Sequence, residues 1–198
     1  MSRPAWLDAR QYPFVSRFLE LPAGRLHYVD EGEGPPLVMV HGIPTWSFLY
    51  RHLIRALAPR YRCIAPDHLG FGLSDKPADW SYRPRDHAAN LAALIERLQL
   101  RDVTLVVHDF GGPIGLAYAV ERPENVARLV LFNTWMWSFR GDREKAWIGG
   151  LIASPLGRFL YTRLNVSPRV IFKHAFADRS KLGGGVHWHY LAPLGTPA

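Results

Sequence analysis

At 198 residues, with 48% hydrophobic and 13% aromatic content, the chain is long enough for one sizeable core and too apolar for a disordered protein. Its net charge of +7 is local: residues 135–198 hold nine basic against three acidic residues, whereas 1–134 hold fifteen against fourteen. Those basic residues are scattered among Trp, Leu and Ile rather than run together, which argues against nucleic acid as a partner.

The N-terminus lacks a continuous apolar stretch of signal-peptide length, and no segment approaches the roughly 18 apolar residues of a membrane span. Cys63, the single cysteine, sits in the apolar run "YRCIAPD" and has no internal disulfide partner. Together these features predict a cytoplasmic protein that binds no membrane, with Cys63 in the core.

Along the chain, strand-like runs alternate with helical stretches, the pattern of a mostly parallel sheet flanked by helices. "SRFLEL" and "RLHYVDEG" flank the turn signal "PAG" and predict an antiparallel hairpin. "PLVMVHG" reads as a continuous apolar strand, followed by "TWSFLYRHLIRALA", where apolar residues recur at helical spacing. "YRCIAPD" is a short strand, "HLGFGLSDKPADWSYRP" a loop, and "RDHAANLAALIERLQL" a helix. "DVTLVVHD" and "VARLVLFN" read as buried strands, with "GGPIGLAYAVERP" between them as a helix ended by Pro123. Beyond Asn133 the chain becomes aromatic, basic and helical, with glycine and proline breaks. This predicts a main-domain portion over 1–134 and a helical cap segment over 135–198.

Ligands of parallel sheets sit beyond the carboxyl ends of the strands. Three segments end there: His41-Gly42-Ile43-Pro44, Asp67-His68-Leu69-Gly70 and His108-Asp109-Phe110-Gly111-Gly112. The third has the form of a nucleophile elbow, a sharp strand-to-helix turn that presents one side chain above the sheet, here Asp109. The alternative is that Asp109 caps the following helix. Ile43 and Phe110 lie just past strand ends, so their backbone N–H groups are candidates for an oxyanion hole. Pro44 is compatible with a first helical turn, where no N–H is needed. His41 is expected to be a packing histidine.

"HGIPTWSFLYR", "PDHLGFGLSDKP", "VVHDFGGPIGLAYA" and "RLVLFNTWMW", in this order, resemble the haloalkane dehalogenase branch of the α/β-hydrolase superfamily. The resemblance implies a twisted, mainly parallel sheet with flanking helices and a helical cap inserted after the strand that ends near Asn133. It implies that Asp109 attacks carbon, displaces a leaving group and forms an alkyl-enzyme ester, which a histidine-activated water hydrolyses. The substrate class implied is a small apolar electrophile such as a halogenated alkane, with water as co-substrate and no metal or other cofactor.

Two positions depart from the pattern. Many members carry asparagine and tryptophan, whose side-chain N–H groups hold the departing halide, where this chain has Ile43 and Phe110. Trp135, Trp137 and Trp46 are candidate replacements in a substrate or leaving-group pocket that Phe110 also lines. Val107 stands where related epoxide hydrolases have glycine, and Phe110 where fluoroacetate dehalogenases have arginine, so both relatives rank below a dehalogenase. A serine at the elbow is excluded by Asp109. Epoxide opening by the same Asp, or a fragment that only binds an apolar ligand, are the alternatives.

No histidine matches the family's base position, and Asn133 supplies no acid. The family's later strands would carry both, so the chain is expected to be truncated in the cap, with doubtful turnover. "VARLVLFN" would then lie at a sheet edge and favour self-association. The pair His187 and His189 in "HWH" is too small a set for a metal site.

Overall fold

The computed structural model describes residues 3–138, 141–183 and 185–195. The chain divides into two compact units, Met1–Met136 and Trp137–Ala198.

The first unit is built on a six-stranded sheet of order β1-β2-β4-β3-β5-β6. Strands β1 (Arg17–Leu21) and β2 (Gly24–Glu31) form the predicted hairpin, with Leu21 opposite Gly24. Gly24 has φ +134°, a conformation that costs a residue without a Cβ little and closes the tight connection. β2 pairs antiparallel with β4 (Arg62–Pro66). The remaining contacts, β4 with β3 (Pro36–Val40), β3 with β5 (Val103–Asp109) and β5 with β6 (Val126–Thr134), are parallel.

The central strands read as continuous apolar runs because both sheet faces are covered. Val38, Met39, Val40, Leu105 and Val107 are fully buried. Helix α2 (Pro84–Arg97) places Ala88, Leu91, Leu94 and Ile95 on one stripe in a shared core with Val38, Leu105 and Val107. Pro84 opens that helix, where the missing N–H is harmless. Helix α3 (Gly111–Glu121) lies so close to β5 that a Cβ on Gly115 would come within 2.6 Å of Val107 Cγ1. It stops two residues before Pro123.

Three expectations are corrected. "TWSFLYRHLIRALA" is not one helix: a 3₁₀ turn over Ser47–Tyr50 leads into α1 (Arg51–Leu57). Pro44 therefore lies in the loop before it, after a cis peptide bond with Ile43, and opens no helix. Strand β6 is not buried: every residue from 127 to 133 is exposed, and the strand lies at the sheet edge, as also expected.

The second unit is helical among its described residues. α4 (Arg143–Ala153) and α5 (Pro155–Thr162) are separated by Ser154, whose Oγ accepts from Gly157 N at 3.1 Å and caps α5. A π-helical stretch over Ser167–Ile171 runs into α6 (Phe172–His174), and α7 (Val186–Leu191) follows. Phe172 packs on Phe176 and Tyr190, with ring centroids 5.1 and 4.6 Å away. No described helix is long and apolar enough to cross a membrane.

Candidate active site

Asp109 ends β5 with φ +51°, a left-handed conformation that a non-glycine residue adopts only at a cost. The strain is held from several sides. Thr134 Oγ1 donates to the Asp109 carbonyl at 2.6 Å, tying the end of β6 to the turn. A Cβ on Gly112 would lie 1.7 Å from that same Thr134 Oγ1, and one on Gly111 would lie 2.1 Å from the Val40 carbonyl. The two glycines therefore allow α3 to begin against its neighbours, as "HDFGG" predicted. Thr134 is a positioning residue that the sequence reading missed, although its place at the end of the strand beside the elbow was a usable signal.

The half-buried Asp109 carboxylate is fixed from the neighbouring strand end. Ile43 N–H donates to Asp109 Oδ1 at 2.9 Å. Gly42 makes this approach feasible, since a Cβ there would come within 2.3 Å of the same oxygen. Phe110 is the N-cap residue of α3, and its N–H is among the donors a helix leaves without an internal partner. Phe110 rather than Asp109 occupies the N-cap position of that helix, and the Asp109 Oδ1 is engaged by Ile43 instead.

Of the aromatic candidates, Trp135 stands edge-on to Phe110, with centroids 5.3 Å apart and planes at 86°. Trp46 is placed differently. It is 1% exposed and enclosed by Trp6, Tyr12 and Phe48, at centroid distances of 5.9, 5.0 and 5.5 Å, which makes it core packing rather than pocket lining. Trp137 belongs to the second unit and is 68% exposed.

The histidines around the strand ends are structural. His41 donates from Nδ1 to the Gly42 carbonyl at 2.9 Å and accepts at Nε2 from His68 N–H at 2.9 Å. His68 in turn donates from Nε2 to the His41 carbonyl at 3.1 Å. Burial, which disfavours the charged imidazolium, lowers the pKa of both and lowers that of His87 to about 4. Among the described residues no histidine hydrogen-bonds Asp109. His187 Nε2 donates to the Pro168 carbonyl at 2.8 Å and His189 Nδ1 to the Gly185 carbonyl at 2.8 Å, and no set of three metal-ligating side chains occurs among the described residues.

The model of the alpha/beta hydrolase fold family matches residues 35–148. The chain is 50% identical over 158 residues to haloalkane dehalogenase 2 of Mycobacterium bovis, covering 80% of this chain and 55% of that protein. It is also 50% identical over 125 residues to a cis-3-alkyl-4-alkyloxetan-2-one decarboxylase of Shewanella oneidensis, covering 62% of this chain and 39% of that one. The crystal structure of the haloalkane dehalogenase DatA from Agrobacterium tumefaciens superposes with a TM-score of 0.82 at 29% identity, over 92% of this chain and 63% of that one. The chain thus spans about 55% of the length of its dehalogenase relative. With a matched fold model, an elbow aspartate and these relatives, the chain belongs to the α/β-hydrolase family, in its haloalkane dehalogenase-like branch.

Proposed function

We propose that Asp109 is the nucleophile of a hydrolase that displaces a leaving group, such as halide, from carbon. The observation that carries this is the Ile43 N–H bond to one carboxylate oxygen of a residue held at φ +51° on the elbow. That bond distinguishes the two oxygens. Oδ1 is engaged by Ile43, so Oδ2 is the oxygen that attacks carbon and becomes the ester oxygen. Oδ1 then becomes the ester carbonyl. When water adds to that ester, negative charge develops on Oδ1, where the Ile43 and Phe110 N–H groups form the oxyanion hole. A carboxylate ionised at neutral pH needs no base for the first step, whereas activating water needs one. Trp135, edge-on to Phe110, is the leaving-group donor in this reading. In this reading 1–134 is a main-domain portion and 135–198 a cap segment, and β6 of the 198-residue chain taken alone is a surface for self-association.

Incubation with 1-bromohexane tests this. Intact-mass spectrometry is expected to show one hexyl adduct that persists, because no described histidine reaches Asp109, and that is lost in Asp109→Asn. Folded protein that takes no adduct from any alkyl halide would contradict it.

One observation favours a second reading: neither Ile43 nor Phe110 carries a side-chain donor for a departing halide. An oxetan-2-one is a strained lactone whose leaving group is its own tethered carboxylate, so ring strain supplies part of what halide donors would. Attack of Asp109 at the alkyl-oxygen carbon would open the ring to an ester bearing a β-carboxylate. Loss of CO2 with departure of the Asp109 carboxylate then yields an alkene and consumes neither water nor a base. Alkene and CO2 from a dialkyl oxetan-2-one, with no adduct from 1-bromohexane, would select this reading.

A further inference from the structure

Far from the elbow in sequence, the β1–β2 hairpin and the end of β4 bring three other residues into line. Phe18 pairs with His27 across the hairpin, which leaves Ser16, just before β1, over the imidazole. Ser16 Oγ is 3.1 Å from His27 Nε2, and His27 Nδ1 is 2.8 Å from Asp67 Oδ2. The His27 and Asp67 side chains are both 0% exposed.

The hydrogen bonds fix the Asp67 end of this relay. Asp67 Oδ1 accepts from Ser47 N–H and Oδ2 from Leu73 N–H, each at 2.8 Å. Burial alone would raise the Asp67 carboxyl, but the imidazoles of His27 and His41 and the Leu73 N–H hold its pKa below the ordinary value. An ionised Asp67 has only acceptors to offer, so His27 must donate from Nδ1. In the neutral tautomer that leaves the Nε2 lone pair facing Ser16, 3.1 Å away, where the hydroxyl can donate to it. The serine alone in this set is exposed, and it opens on a cavity of about 370 Å³ also lined by Arg3, Phe14, Phe18 and Leu73.

We propose that Ser16, His27 and Asp67 form a second nucleophilic site, separate from Asp109, that takes acyl groups from small uncharged carboxylic esters. Its geometry is that of a serine activated by a base which a buried carboxylate orients. Ser16 Oγ bonds to the ester carbonyl carbon as its proton passes to His27 Nε2. The C–O bond to the alcohol then breaks, and the alcohol leaves with that proton. Water repeats the sequence on the acyl-serine, releasing the acid and restoring the hydroxyl. Asp67 touches no substrate and acts as a positioning residue. Arg3 is the cation lining the cavity as charge builds on the carbonyl oxygen, and the apolar rings favour an uncharged acyl group.

Diisopropyl fluorophosphate, with the Asp109→Asn variant used so that the elbow cannot contribute, is the probe. Phosphorylation of Ser16 with loss of fluoride is expected, giving one adduct that peptide mapping places on Ser16. The adduct should be absent in Ser16→Ala, a substitution at an exposed position whose folding a cooperative melt verifies. It should form on the order of 10²-fold more slowly in His27→Gln. Ser16→Cys keeps a nucleophile, and its alkylation by iodoacetamide should lose its enhancement below neutral pH once His27→Gln is added. Folded protein without an adduct, or an adduct that survives Ser16→Ala, overturns the proposal and leaves the three residues as a staple between hairpin and β4.

Discussion

Asp109 depends on glycines that themselves do no chemistry. Gly42 lets the next residue's N–H reach the carboxylate, with only 2.3 Å between Asp109 Oδ1 and the position a Cβ would occupy. Gly42→Ala is therefore expected to push the carboxylate out of position and slow alkylation by about 10²-fold, the cost of roughly 1 Å of misplacement at a reacting group. The melting temperature should change far less, because Gly42 lies in a loop outside the main core cluster. Equal rates in the two proteins would show that the Ile43 contact is irrelevant to attack. The elbow was legible because an acidic residue followed by two glycines after "LVV" has few other uses. Trp46 was misread because a tryptophan near a strand end has the same appearance in sequence whether it lines a pocket or, as here, stacks on Phe48 in the core. The Ser16, His27 and Asp67 alignment had no signature at all, since antiparallel pairing rather than sequence spacing brings it together.

Among the elements, β6 is the one whose sequence and environment disagree. Its apolar composition alone reads as a buried strand, whereas its expected place at a sheet edge agrees with Leu129, Leu131 and Phe132 being 46%, 55% and 46% exposed. An edge strand with unpaired N–H and C=O groups and apolar side chains on both faces is a template for pairing with another chain. The 198-residue chain taken alone is expected to self-associate at micromolar concentration, and Leu131→Lys should shift light scattering toward the monomer, since a charge on an edge strand opposes such pairing. A monomer at every concentration tested, with cooperative unfolding, would count against this. The hairpin, β3, β4, β5, α2 and α3 were legible because period and turn residues agree locally. The 3₁₀ turn before α1 was not, because its apolar spacing continues the helix that follows.

At the scale of the whole molecule, a loss of stability in acid follows from buried neutral imidazoles. His87 is 5% exposed, and among the described residues its Nδ1 has no hydrogen-bond partner. Its pKa falls from 6.5 to about 4 chiefly through burial, with a smaller repulsion from His41. Between those two values the unfolded chain binds a proton that the folded chain refuses. His87 thus contributes its full stability above about pH 6.5 and loses it as pH falls toward 4, at most about 3 kcal/mol for this shift. His41 and His68, also lowered by burial, act in the same direction. Chemical denaturation between pH 7 and 4 should show this loss, and His87→Phe should flatten it. A pH-independent midpoint for the unsubstituted protein would contradict the buried neutral cluster.

A hydrolase of this branch requires that the Asp109 carboxylate displace halide from carbon. Tandem mass spectrometry of peptides from protein treated with 1-bromohexane addresses it most directly. A hexyl ester on Asp109, with its hydroxylamine-labile linkage, is expected, and no ester on that peptide in Asp109→Asn. A hexyl group found only on other residues of folded protein, with Asp109 unmodified, would contradict it.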